Sequence, residues 1–139
     1  MAITTAMCTS FRAEVLQGIH SSADVYKIAL YTSSATLDAT TTADTTTNEI
    51  SGTGYTAGGA TLSGFNVVTS GTTAILDFDN ASWANATLTA RGAMIYNSTK
   101  SNKAVAVWNF GADKTSTDGT FTANMPTPDA TNGLIKIKD

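Results

Sequence analysis

The feature that most constrains this chain is an alternation of apolar and polar residues with a period of two, which begins at Val25 and recurs to the end. Such segments, bounded by Gly, Asn, Asp or Ser, are typical of half-buried strands. Seven short strands at this spacing predict an all-β protein, a sandwich or jelly roll. The predicted strands are 25–32, 60–69, 73–78, 86–97, 103–110, 119–125 and 133–139.

One short helix precedes the strands. Phe11, Val15 and Ile19 recur every four residues, which is the spacing of one helical face. We therefore predict a helix over roughly residues 10–18, ended by Gly18. With 139 residues in total, the chain is expected to form a single domain.

Two segments carry little apolar surface, the N-terminal arm (1–8) and a Thr-rich loop (33–49). Ordering a backbone costs about 1–2 kcal/mol per residue, and these segments have little burial to offset it. We therefore expect both to be mobile in the free protein. Deletion of residues 36–46 is then expected to leave the domain folded.

The strand patterns also predict which faces are buried. Strand 73–78 is expected to direct Ala74, Leu76 and Phe78 inward. Strand 103–110 is apolar on both faces, whereas a small sandwich usually leaves one face of each sheet in water. The second face therefore requires cover, either from a second copy of the chain in a homodimer or from the N-terminal helix.

The composition excludes several function classes. Only 14% of the residues are charged and the net charge is −3, so we expect no nucleic-acid binding, which requires clustered Lys and Arg. Cys8 is the single cysteine, which fits a reducing cytoplasm without demanding it. No charged segment precedes an apolar run at the start and no run is long enough to span a membrane, so neither secretion nor membrane insertion is expected.

The glycine-rich stretch from Ile50 to Gly64 resembles a phosphate-binding loop only superficially. Phosphate loops need a Gly-Lys pair, and no lysine lies between Lys27 and Lys100. Gly58 and Gly59 instead fit a turn with positive φ. We interpret the stretch as a chain reversal and expect no nucleotide cofactor.

Two residue pairs were weighed as catalytic candidates. Cys8 and His20 would flank the helix, but a nucleophile pair also needs an orienting group and an oxyanion site. Asp77 and Asp79 would lie about 6.5 Å apart on one strand face, a spacing near that of inverting glycosidases. Nothing in the sequence raises the pKa of one of these carboxyl groups, so we expect a solvated strand end.

The aromatic residues divide between the core and its rim. Trp83 and Trp108 are expected in the core, and the tyrosines at its rim with their hydroxyl groups in water. With one histidine, no zinc-ligand set is expected. The sequence therefore predicts no catalytic, cofactor-binding or metal-binding residues.

Four stretches carry a family resemblance: "KIALYTSSATL", "TTNEISGTGYTAGG", "ARGAMIYNSTKSNKAVAVWNFG" and the isoleucine-rich end. They are similar to the small cement, or decoration, proteins on the heads of tailed bacteriophages. The resemblance covers most of the chain from Phe11 onward. It implies a jelly roll, a homodimer, a position on the capsid exterior of the virion after assembly in the host cytoplasm, and contact with the major capsid protein. The alternatives are a carbohydrate-binding β-sandwich of a tail or fibre and, ranked far below, a hydrolase using Asp77 and Asp79.

Overall fold

The computed structural model describes residues 2–138 as two antiparallel β-sheets with one short helix. The predicted all-β sandwich is confirmed. The five-stranded sheet has the order β1-β7-β6-β2-β3, and the three-stranded sheet has the order β4-β5-β8. The elements are β1 (Ala6–Met7), α1 (Thr9–Leu16), β2 (Tyr26–Tyr31), β3 (Ala60–Thr61), β4 (Asn66–Ser70), β5 (Thr73–Asp77), β6 (Ala81–Asn97), a 3-10 turn (Ser98–Lys100), β7 (Lys103–Ala123) and β8 (Ile135–Ile137).

The long hairpin of β6 and β7 forms the middle of the larger sheet. β7 runs for 21 residues and joins the predicted strands 103–110 and 119–125 into one. The joining residues are mostly polar and exposed, so they carry no alternation that a sequence pattern could detect. The pairing of β6 with β7 is irregular between Ala90 and Gly92, where the register shifts. A Cβ there would lie 2.5 Å from the Trp108 carbonyl oxygen, so only glycine fits.

The core lies against the neighbouring strands β2, β6 and β7 of the larger sheet. Ile28 and Leu30 are fully buried on one face of β2, and Ala29 and Tyr31 are fully buried on the other. The stretch from Ala104 to Val107 is also fully buried, on both faces. α1 packs on β7, and the Ala104 N–H donates to the Thr42 carbonyl at 3.0 Å. The chain's own helix and loop thus cover this stretch, which agrees with the alternative of cover by the N-terminal helix; the homodimer itself stays a prediction.

The faces of β5 differ from the prediction. Ile75 is 1% exposed, whereas Ala74 and Leu76 on the opposite face are only half-buried. Segment 126–134 covers the Ile75 face: a Cβ added at Gly133 would lie 2.8 Å from Ile75. Phe78 is buried as predicted. The alternation gave the period correctly, but it could not show which face this segment covers.

The arm and the Thr-rich loop both pack on the sandwich and bury more apolar surface than their composition led us to expect. Ile3 and Leu37 are nearly fully buried and form a parallel bridge, with a 2.8 Å bond from the Thr4 N–H to the Leu37 carbonyl. The Cys8 N–H donates to the Val105 carbonyl of β7 at 2.9 Å. A few buried side chains, such as Ile3 and Leu37, hold these two segments in place although their average composition is polar. Deleting residues 36–46 would remove Leu37, so the deletion is expected to destabilise the domain.

Candidate functional site

A groove opens along one side of the sandwich, between the edges of the two sheets. β1 ends the larger sheet and β8 ends the smaller one, and residues of both line the groove. Its volume is about 760 Å³. We call it the edge groove. Its lining is Thr5–Met7 of the arm and β1, Arg12, Val15 and Leu16 of α1, Trp108 of β7, Pro126, and residues 131–134 and 136–138.

The walls of the edge groove are apolar. Leu16 is 90% exposed and Ile137 is 51% exposed, although both are large aliphatic side chains. Leu16 lies just beside the four-residue repeat of Phe11 and Val15, so α1 turns it away from the core. Exposed apolar side chains that converge on one concavity are typical of an interaction surface.

The charges around the edge groove have one sign. In the part of the chain that the structure describes, its lining holds the cations Arg12, Lys136 and Lys138 and no carboxylate. The ammonium group of Lys136 donates to the Thr131 carbonyl at 2.9 Å. Because the whole chain has a net charge of −3, these cations are a local departure from its average.

A second, smaller space lies behind the groove, between α1 and the three-stranded sheet. It has a volume of about 190 Å³ and shares Val15, Lys136 and Ile137 with the edge groove. Val67 of β4, which is 57% exposed, borders it too. The half-buried face of β5 therefore lines an incompletely filled apolar space. Further apolar groups could bind on this side of the sandwich.

No hydrogen bond joins Cys8 and His20, the pair considered and not favoured as a nucleophile pair, among the described residues. The two ring nitrogens of His20 bond elsewhere, Nε2 to the Glu14 carboxylate and Nδ1 to the Asn97 amide, each at 2.9 Å. Burial raises the pKa of the Cys8 thiol to about 11, and the charges of Asp38 and Glu14 add to that effect. The thiol therefore stays protonated at neutral pH and is a poor nucleophile.

Asn97 is the centre of a buried polar network that the sequence did not reveal. Its amide donates to Asp24 at 2.8 Å, and its oxygen accepts from the backbone N–H groups of Thr99 and Lys100. Burial raises the pKa of Asp24, but the hydrogen bonds from Asn97 and the Ser21 backbone and the charges of nearby cations outweigh it, so the pKa lies below its usual value. The network joins the segment before β2 to the turn after β6. The Asp24 carboxylate is hydrogen-bonded within it and is not free to act as a base.

A second polar cluster joins the tyrosines to the Thr-rich loop. The Tyr31 hydroxyl donates to Asp44 at 2.7 Å, and the Tyr55 hydroxyl donates to Glu49. Burial and these carboxylates raise the pKa of both phenols. The Tyr96 hydroxyl donates to the Gly58 carbonyl, and burial raises its pKa to about 12. The prediction of hydroxyl groups in water was wrong for these three, because loop residues bring acceptors to them.

The predicted carboxylate pair lies at the end of β5. Asp77 belongs to the strand and is half-buried, whereas Asp79 follows it and is exposed. Asp79 accepts a 3.2 Å bond from the Ser63 hydroxyl and packs against Gly64. Asp79 is thus engaged in holding the turn before β4 to the end of β5.

The glycine-rich stretch forms turns, as predicted. Gly58 and Gly59 have φ of +94° and +84°. Among residues 2–138 no group of three or more His, Cys, Asp and Glu side chains could hold a metal ion. Over the same range, no helix has both the length and the apolar character needed to cross a membrane.

A scan against protein-family models, a search of curated proteins and a search of solved structures each find no match to this chain. Of the surfaces described above, the edge groove is the one whose shape, exposure and charge favour binding of another molecule.

Proposed function

We propose that the protein is a virion structural protein, a cement protein that binds the outer surface of a phage capsid and stabilises the lattice of the major capsid protein. The observation that carries the proposal is the edge groove: an apolar surface at two sheet edges, in a chain whose segments resemble decoration proteins. Exposed sheet edges and apolar grooves are surfaces through which proteins bind other proteins.

The rest of the molecule fits a structural role. A decoration protein acts by mass action: each copy that binds only the assembled lattice lowers the free energy of that lattice. A rigid body with packed segments loses little further entropy when it binds. The arm and the Thr-rich loop, which pair with β7 and with each other, supply that rigidity.

We also propose that the protein is not an enzyme. His20 is bonded at both ring nitrogens and the Cys8 thiol is kept protonated, so the two side chains best suited to nucleophilic catalysis are committed to the fold. The jelly-roll topology, the homodimer, the capsid exterior and assembly in the host cytoplasm belong to the same proposal.

The test is a count of the protein per purified virion by quantitative mass spectrometry, with heads and tails separated. A cement protein should follow the heads and occur at a copy number comparable with that of the capsid lattice. Heads lacking the protein should release DNA at a lower temperature, and adding the purified protein back should restore that temperature. Few copies per virion, found with the tails, would refute the cement function.

One observation favours the carbohydrate-binding alternative. Trp108 and Phe110 are half-buried, with ring centroids 4.9 Å apart, and they border a concavity of about 380 Å³ with Lys114 and several threonines. Aromatic rings beside hydroxyl groups suit a sugar ring. A glycan array separates the two functions: an adhesin binds a surface polysaccharide and loses it in Trp108→Ala, whereas a cement protein binds none.

A further inference from the structure

The edge groove has a directional pattern along β8 that limits what can bind there. Side chains alternate along β8 (Ile135–Ile137), so Lys136 projects to the face opposite Ile135 and Ile137, and the exposed Lys138 follows directly after the strand. β8 pairs with β5 on one side, through contacts such as Ala74 opposite Ile137. In residues 2–138 no strand lies on its other side.

From this pattern we infer that the edge groove binds an extended, acidic segment of a partner protein, which adds as a strand to the open edge of β8. The backbone of the added strand would bond to the unpaired edge, as in other cases of strand addition. On one face its carboxylates would lie beside Lys136 and Lys138, and on the other its apolar side chains would lie beside Ile137. The ligand predicted is therefore an alternating apolar and acidic segment.

The opposite wall of the groove favours the same ligand. Arg12 lies on α1 across from β8 and adds a third cation, and among the described residues its guanidinium donates one 3.3 Å hydrogen bond, to the Thr9 hydroxyl. Leu16 and Met7 supply apolar contact on that wall. A basic segment would meet three like charges and no carboxylate among the described lining residues, so the charge selects against it.

The inference deepens the proposed function, since on a virion the partner would be an acidic segment of the capsid protein. It can be tested without capsids, so the two proposals can fail separately. The probe is a fluorescein-labelled peptide of alternating valine and glutamate, and the control probe replaces glutamate with lysine. Binding is followed by fluorescence anisotropy, and the site by hydrogen exchange.

We expect the acidic peptide to bind and the lysine peptide not to bind at concentrations up to about 1 mM. Bound peptide should slow amide exchange at β8 (Ile135–Ile137). Raising the salt from about 0.05 M to about 0.5 M should weaken binding severalfold, because the cations lie at the surface. Equal binding of both peptides, or slowed exchange only elsewhere, would overturn the inference.

The variant Arg12→Glu/Lys138→Glu changes two exposed side chains, so it should fold normally, as circular dichroism will show. It should bind the acidic peptide about tenfold or more weakly, since two attractions become repulsions. The matched control is Thr69→Glu, which places a carboxylate at an exposed position of β4 outside the groove and should bind as the wild type does. If the groove variant instead abolishes self-association, the groove is an interface between copies of this chain and the inference is wrong.

Discussion

At the residue scale, the amide of Asn97 joins parts of the chain that are distant in sequence. It donates to His20 and Asp24, which precede β2, and it accepts from Thr99 and Lys100 at the turn after β6. Asn97 is fully buried, so its own side-chain amide depends on these partners for its hydrogen bonds. A single amide thus fixes how the segment after α1 enters the sheet.

Truncating this amide is expected to be costly. Asn97→Ala should lower the free energy of unfolding by about 2–4 kcal/mol, because it leaves a buried carboxylate and two backbone N–H groups without their partner. Urea denaturation followed by tryptophan fluorescence measures the change. The control is Asn124→Ala, at an exposed asparagine, which should change stability by less than about 0.5 kcal/mol. A similar small effect for Asn97→Ala would show that the network contributes little.

Two aspartates should affect the pH dependence of stability with opposite signs. The pKa of Asp24 is lowered in the folded state, so its contribution is present at neutral pH and is lost as the pH falls through that lowered pKa. Burial raises the pKa of Asp44 despite its bond from Tyr31, so its charged form costs stability at neutral pH and the cost fades on acidification.

The test compares Asp24→Asn and Asp44→Asn by urea denaturation at several pH values from about 7 down to about 3. Relative to wild type, Asp24→Asn should be most destabilised at pH 7 and approach wild type in acid. Asp44→Asn should compare most favourably with wild type at pH 7 and lose that advantage in acid. Parallel curves for both variants would contradict the assigned directions.

At the scale of the elements, β3 can pair with β2 only because the turn before it approaches β2 closely. A Cβ added at Gly59 would lie 1.8 Å from the Ile28 carbonyl oxygen, and the φ of Gly59 is +84°. Gly71, in the turn between β4 and β5, has a similar φ of +60° but open space around it. The two glycines therefore separate the effect of backbone conformation from the effect of close packing.

We expect Gly71→Ala to cost about 1–2 kcal/mol, which is the penalty for a side chain at positive φ. Gly59→Ala should cost about 3 kcal/mol or more, because β3 must also move away from β2. Thermal unfolding of both variants measures the difference. Equal costs for the two variants would mean that the turn before β3 can move away from β2 without a loss of stability.

The sequence could predict most elements but not how they cover one another. Alternation located β2, β5 and β8 because it is a local property of the chain. It could not show that Leu37 anchors the Thr-rich loop, because one buried leucine among threonines has no period. The edge groove was equally hidden: residues such as Met7, Leu16, Trp108 and Ile137 come together only in the folded chain.

At the scale of the whole molecule, the outer edge of β7 is where we expect two copies to meet. β1 pairs with Ala106 and Val107, and residues 42–43 pair with Lys103 and Ala104, so within the described chain it is the later part of that edge that has no strand beside it. An antiparallel, twofold pairing of two copies centred on Ser116 would place Lys114 opposite Asp118 of the other copy. Opposite charges across strands stabilise such a pair by about 0.2–1 kcal/mol each, and symmetry supplies two of them.

Lys114→Glu should therefore raise the dissociation constant of the dimer about tenfold, since both contacts become repulsive. Sedimentation equilibrium over a range of protein concentrations measures it. Lys138→Glu, a charge reversal at the edge groove, is the matched control and should leave the dimer unchanged. A wild-type protein that sediments as a monomer would refute the dimer, and an unchanged constant in Lys114→Glu would place the interface elsewhere.

The N-terminal arm has a further consequence for how the chain is made. The Asn109 amide donates to the Ile3 carbonyl across 106 positions of sequence, and the Cys8 N–H donates to Val105. During synthesis the arm must therefore wait until β7 has followed it. The β6–β7 hairpin is local and pays a smaller loop-closure entropy, so it can form early, whereas docking of the arm closes the longest loop. The beginning of this chain is then among the last parts to reach its native place.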